Sequence, residues 1–216
     1  MKQINLDLND RKIIDKVTNT ASKVLKSGGV IIYPTDTIYG IGANAFDEEA
    51  IKKIKKIKDR DNEKPLLVFV KDIETARRIV CIDSKVQRIL ENIWPGLITV
   101  VLRKKDIVPY SLTGGAQTVA VRIPKNKFVL QLLEKVDFPI IATSANLSGE
   151  NNLFTAEEII QKFSKRKFCP DLFINTGKIK NTQASTIIDL TTGIPKIVRM
   201  GIVGKEKIKD LFNKFI

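Results

Sequence analysis

A chain of 216 residues is ample for a sizeable core in one domain, and 43% apolar against 28% charged residues is ordinary for a soluble globular protein. The 37 Lys and Arg against 24 Asp and Glu leave +13, which attracts polyanions such as nucleic acid, nucleotides or anionic lipid and is equally compatible with a solvated lysine surface. With no histidine, and Cys81 and Cys169 as the only cysteines, a Cys/His zinc site and any histidine-based triad are excluded.

Two lone cysteines suggest a reducing compartment, with one bridge between them left open. The start MKQINLDLND is polar and charged, unlike a signal peptide. The longest apolar run, residues 97–102, is far too short to span a bilayer. A cytoplasmic protein with no membrane contact is the expectation.

Residues 4–8 alternate and read as a first strand. Asn9 or Asp10 can cap a helix whose apolar face is Ile13, Ile14, Val17, Ala21, Val24 and Leu25. Gly28 sits where a helix C-terminus favours glycine. Val30, Ile31, Ile32 and Tyr33 form a β-branched and aromatic strand, stopped by Pro34. Thr35, Asp36 and Thr37, then Gly40 and Gly42, read as a polar loop leaving that strand, a place where α/β folds put ligand contacts and where ordinary turns also occur.

Asp47 is a candidate N-cap with Glu48 and Glu49 in the first turn. Ile51, Ile54 and Ile57 make the buried stripe, and Lys52, Lys53, Lys55 and Lys56 the solvent side. The helix ends in Lys58-Asp59-Arg60, and Lys64, Pro65 and a strand at 66–70 follow. Helices are expected near 73–80 and 84–93, the second broken by Trp94-Pro95-Gly96. Residues 97–103 and 118–124 read as strands joined by a glycine loop at 113–117. Asn126 can cap a helix through Phe128, Leu132 and Leu133.

Residues 138–142 read as a buried strand emptying into a second small polar loop, 143–149. Thr155 and Glu158 have capping-box spacing. Residues 172–175, 185–190 and 196–199 read as strands, with turns at Gly193 and Gly201. Ile208, Leu211, Phe212 and Phe215 form a closing amphipathic helix. Strands alternating with helices predict an α/β or α+β single domain with a large mixed sheet.

Several strands end in small hydroxyl or amide residues or in arginine: Thr37, Arg122, Ser144 with Asn146, Ser185, Arg199. Five such ends suggest loops converging on a polar, anion-binding cleft. There is no GxxxxGK[ST] and no GxGxxG, so a nucleotide would be held by Lys, Arg, backbone amides and hydroxyls. No nucleophile–base pair is evident, which leaves positioning and charge neutralisation, as in nucleotidyl transfer.

In order along the chain stand YPTDTIYGIGANA, the K-D-R of residues 58–60, KPL from Lys64, PG-x-x-T from Pro95, TVAVRIP, TSANLSG, STIID and RMG. The ordered set resembles the YrdC-like family of threonylcarbamoyl-AMP synthases, over about residues 10–201. The resemblance implies a twisted α/β fold with an open basic cavity. It implies conversion of L-threonine, bicarbonate and ATP to threonylcarbamoyl-adenylate and pyrophosphate. That product feeds N6-threonylcarbamoylation of adenosine 37 in ANN-reading tRNAs by partner proteins.

By motif, the resemblance implies that Thr37, Ser144 and Ser185 bind threonine, with Arg122 pairing its carboxylate. It places Arg60, Lys64, Thr118, Asn146 and Arg199 at ATP, and Lys58 with Arg60 at the charge that develops on the α-phosphate. Magnesium is expected on the triphosphate, which would supply most of its ligands. The chain departs from the family at Asp61, at Leu97 and over residues 150–154, the last putting one nucleotide contact in question. The short, single-domain form is expected. Two alternatives stay open: an RNA-binding protein of the same fold without catalysis, and a paralogue using another acyl or carbamoyl substrate. Whether tRNA is touched directly is open as well.

Overall fold

The computed structural model describes residues 1–179, 183–192 and 194–215, the side chains of residues 214 and 215 excepted. Its first half holds β1 (Lys2–Asn5), α1 (Arg11–Lys26), β2 (Ile31–Pro34), β3 (Tyr39–Gly42), α2 (Glu48–Lys58), β4 (Val68–Phe69), α3 (Ile73–Ile79), α4 (Ser84–Ile93) and β5 (Ile98–Arg103). The second half holds α5 (Tyr110–Thr113), β6 (Thr118–Arg122), α6 (Lys127–Val136), β7 (Ile140–Ile141), β8 (Thr143–Ser144), α7 (Ala156–Phe163), β9 (Leu172–Asn175), β10 (Thr186–Asp189), β11 (Lys196–Arg199) and α8 (Lys205–Phe215).

Helix starts follow the side chains that the sequence offers. Asp10 accepts from the amides of Lys12 and Ile13 at 2.8 and 3.2 Å, and Asp47 from those of Glu49 and Ala50 at 3.0 Å each. Asn126 caps α6, and Thr155 with Glu158 closes both bonds of a capping box on α7. Gly28, at φ +76°, turns the chain out of α1 into β2.

The described strands divide between two mixed sheets, where the sequence predicts one large sheet. The first has order β1-β9-β2-β3-β8 and the second β11-β10-β5-β6-β4-β7. The α/β class holds. In the first sheet β2 is covered on both faces, which is why it reads as an unbroken apolar run. Ile31 and Tyr33 pack with α1 and α6, while Val30 and Ile32 join the core built with α2 and α7. Ile51, Ile54 and Ile57 are all fully buried in that core, as their spacing requires.

Three short elements, β3, β8 and α5, have no counterpart in the sequence pattern, and β1 begins two residues earlier than expected. The glycines of β3 read as loop in the sequence. In the structure β3 pairs antiparallel with β2, and Gly42 serves packing: a Cβ there would lie 2.6 Å from the Tyr33 ring and 2.7 Å from the Ile141 carbonyl. Lys55, expected on the solvent side, is buried. The turn at Gly193 and the side chain of Phe215 lie outside the described residues. Both cysteines are free thiols.

Candidate active site

The cavity opens on one face of the second sheet. Alternation puts Val101 of β5, Ala120 and Arg122 of β6, and Ile187 of β10 on that face, all lining the cavity, while Val100, Leu102, Val119, Val121 and Ile188 point into the core. The volume is about 550 Å³. The loop between β2 and β3, the segment from Arg60 to Leu67, β8 and the end of β11 wall it in.

Thr35 folds the β2–β3 loop: its Oγ1 accepts from the amides of Thr37 and Ile38 at 3.0 and 3.2 Å and lies 3.0 Å from the Thr37 hydroxyl. This leaves Thr37 on the wall and sends Asp36 toward the end of β6. There Asp36 accepts from the Lys125 amide at 2.8 Å and forms an ion pair at 2.6 Å with Arg122. Arg122 is 1% exposed, donates through Nε to the Gly96 carbonyl at 2.6 Å, and lies over the Phe69 ring at 5.5 Å. Burial lowers its pKa and Asp36 opposes that shift, so the guanidinium stays charged. Its five donors exceed what these contacts consume.

On the opposite strap, β8 is tied to β3 by the pairing of Gly40 with Ser144. The Ser144 hydroxyl donates to Asn146 Oδ1 at 2.5 Å, and Asn146 Nδ2 donates to the Glu150 carbonyl at 2.5 Å. Behind them sits Lys58, the last residue of α2, 1% exposed. Its ammonium donates to the Ser144 carbonyl, and to the carbonyl and Oδ1 of Asn146 at 2.7 and 3.1 Å. Desolvation, with the Arg60 charge second, pushes its pKa down to about 7. Asp59 then takes the left-handed conformation, φ 48°, and turns the chain so that Arg60 reaches the wall. Arg60 donates to the Pro65 carbonyl at 2.8 Å, and its buried Nε has no hydrogen-bond partner among the described residues.

At the third side, Ser185 and Thr99 share a hydroxyl contact at 2.7 Å, joining two of the ordered motifs across β5 and β10. Arg199 donates to the Ser185 carbonyl at 2.9 Å. Gly201 follows because a Cβ there would fall 2.3 Å from the Ala184 carbonyl.

Of the expected residues, Thr37, Arg60, Arg122, Ser144, Ser185 and Arg199 meet on one wall. Lys58 and Asn146 stand one layer behind it. Thr118 shares the strand face of Ala120 and Arg122 without reaching the wall, and Lys64 is exposed and apart from it. The described wall carries three arginines and no carboxylate, an arrangement suited to anions. Sequence reasoning misses Asp36 as the counter-ion of Arg122 and Asn152 on the wall, and it includes Thr35 and Thr99 in its loop and motif without giving either a role. Asn152 lines the cavity from within the atypical 150–154 stretch. For Asp36 the only signal is a carboxylate beside two hydroxyl residues.

Comparison with known proteins points the same way. The Sua5_yciO_yrdC family model, described as telomere recombination, matches residues 23–201. A threonylcarbamoyl-AMP synthase of Pyrococcus abyssi is 34% identical over 90% of the chain, which spans only 56% of that relative's length. A putative threonylcarbamoyl-AMP synthase of Methanocaldococcus jannaschii is 31% identical, over 96% of this chain and 95% of its own. The crystal structure of P. abyssi Sua5 complexed with L-threonine superposes with a TM-score of 0.87 at 31% identity, covering 99% of this chain and 61% of that one. With its matched motifs arranged on the wall of one cationic cavity, the chain belongs to the Sua5/YciO/YrdC family.

Proposed function

We propose that the protein makes threonylcarbamoyl-adenylate from L-threonine, bicarbonate and ATP, releasing pyrophosphate. The observation that carries this is the meeting of Arg60, Arg122 and Arg199, from three distant stretches, with Thr37, Ser144 and Ser185 around one cavity of about 550 Å³. Relatives named for this activity and a threonine-bound relative support the same reading.

Threonine occupies the Arg122 end. Arg122 receives its carboxylate, and the hydroxyls of Thr37, Ser144 and Ser185 orient its polar groups. The deprotonated amine bonds to the carbon of bicarbonate, one C–O bond breaks and water leaves with an amine proton, and the resulting carbamate presents an oxygen to the α-phosphate of ATP. That oxygen forms the new P–O bond as pyrophosphate leaves with the bonding pair. Arg60 and Arg199 offset the charge on the phosphates, with Lys64 and Thr118 at the perimeter. Lys58 acts through the loop it holds, keeping Asn146 in place behind Ser144, which faces the substrates.

Among the described residues no group of three carboxylate, cysteine or histidine side chains could hold a metal ion, so the described chain offers magnesium no cage of its own. Magnesium arrives with ATP, coordinated by its phosphates. The adenylate is a reactive mixed anhydride, which fits hand-over to proteins that modify tRNA. The +13 charge favours contact with tRNA during that step. No described helix is long and apolar enough to cross a membrane, and two free thiols suit the reducing cytoplasm.

Mass-spectrometric detection of the adenylate, with each substrate omitted in turn, tests the proposal. Product should require threonine, bicarbonate and ATP together, with pyrophosphate in equal amount. Well-folded protein that releases no threonine-dependent pyrophosphate overturns it. Product from another amino acid in place of threonine points to the paralogue reading.

A further inference from the structure

Lys55 lies on α2 between the exposed Lys52 and Lys56, yet it is only 4% exposed. Its ammonium donates to the Asn62 carbonyl, in the loop that carries Arg60, and at 2.7 Å to the Ser111 carbonyl in α5. Its own carbonyl accepts from the Arg60 amide at 2.9 Å. One residue thus fixes both where Arg60 leaves the helix and where the middle of the loop rests.

The loop needs such a hold. Residues 61–65 are all exposed, so packing contributes little to their order. α5 is the platform beneath them: a Cβ at Gly114 would sit 1.9 Å from the Glu63 carbonyl, and the Leu66 amide donates to the Leu112 carbonyl at 2.9 Å. Lys55 fastens loop to platform from the side. Burial lowers its pKa, with the Arg60 charge acting the same way. A buried ammonium held by carbonyls is a costly filler, where methionine would pack as well. What only the ammonium supplies is several donors, able to fork between carbonyls of two separate segments.

We propose that Lys55 is a positioning residue: it clasps the 59–65 loop onto α5 and so aims Arg60 into the cavity, serving the nucleotide end and not the threonine end. The proposal rests on Arg60 facing the triphosphate, as in the proposed function.

The test uses the full chain with Lys55→Met and Lys55→Arg, reading amide hydrogen exchange over residues 60–64 and separate KM values for ATP and threonine. Loss of the two charge-assisted bonds should speed loop exchange about tenfold and raise KM for ATP about tenfold, leaving KM for threonine within about twofold. Lys55→Arg, which keeps charge and donors, should restore most of both. Unchanged loop exchange in K55M, or threonine and ATP KM values rising in step, overturns the proposal. If K55M does not fold, Lys55→Leu, which also lacks a donor, takes its place, with the same two readouts deciding in the same way. The exchange readout needs no turnover. An inactive wild-type protein therefore counts against the proposed function, while unchanged exchange in an active enzyme counts against the clasp.

Discussion

Two arginines on the same wall are held in opposite ways. Arg122 ends a sheet strand, buried, with a carboxylate counter-ion and an aromatic ring beneath it. Arg60 stands at the start of an exposed loop, its described hydrogen bond going to a backbone carbonyl. The first is set in place by the fold; the second is set by tethers. Stability and chemistry should therefore separate along the cavity, with substitutions at Arg122 damaging both and substitutions at Arg60 damaging chemistry alone.

The largest effect is expected from Arg122→Met. It leaves Asp36 against an apolar side chain, and breaking a buried pair by removing one partner costs about 3–5 kcal/mol. Urea unfolding should show a loss of that order, together with loss of threonine-dependent turnover. Adding Asp36→Asn should recover part of the stability and none of the turnover. If R122M unfolds within about 1 kcal/mol of wild type, the pair is not part of the scaffold. Arg60→Ala comes next. Turnover should fall about a hundredfold, the usual range for removing one donor aimed at developing charge. Its unfolding free energy should stay within about 1 kcal/mol of wild type, because its one described side-chain hydrogen bond goes to the Pro65 carbonyl of an exposed loop. A stability loss matching that of R122M would erase the distinction between the two ends.

Lys58 lies between these extremes and gives a pH-dependent effect. Its pKa drops from the ordinary lysine value of 10.5 to about 7 on folding, chiefly through desolvation. Between those values the unfolded chain binds the proton and the folded one does not. Stability therefore rises with pH across that window, and the penalty of burying the charge is fully present below about 7. Denaturation at a series of pH values, from about 6.5 to about 9, should show wild type gaining on Lys58→Met as pH rises. A constant difference between the two proteins would mean that the ammonium stays protonated beneath Ser144 and Asn146.

What the sequence discloses and what it hides have physical reasons. Caps, turns and the isoleucine stripe of α2 are local, so Asp10, Asp47, Asn126 and Thr155 can be placed from spacing alone. The wall residues stand out at strand ends, where small polar groups or arginine interrupt apolar runs. Lys58 and Lys55 look like helix-end and surface charges because helical spacing does not say that a lysine can turn inward to carbonyls from distant segments. Asp36 and Thr99 are hidden for the same reason: their partners are 86 residues away, at Arg122 and Ser185. The pairing of β3 with β2 is lost because glycine reads as loop when its use is to admit the Tyr33 ring.

The smallest predicted effect asks whether the Arg60 loop is set at its end or at its middle. Asp59 adopts φ 48°, a conformation that asparagine tolerates and alanine does not. Its carboxylate also pairs with Arg166 at 2.6 Å, but both side chains are partly in solvent, where such pairs contribute about 0–1 kcal/mol. Asp59→Asn keeps the turn and drops the pair, so it should cost under about 1 kcal/mol, shrink further in high salt, and leave turnover within about twofold. Asp59→Ala keeps neither, and left-handed strain of about 1–3 kcal/mol should make it the worse of the two. Unfolding of both variants at low and high salt, beside their ATP KM values, decides the matter. If D59N slows turnover as much as R60A, the Arg166 pair aims the arginine from the loop's end. If only D59A is damaged, the turn matters and the pair does not, leaving the aim to the contacts at the loop's middle.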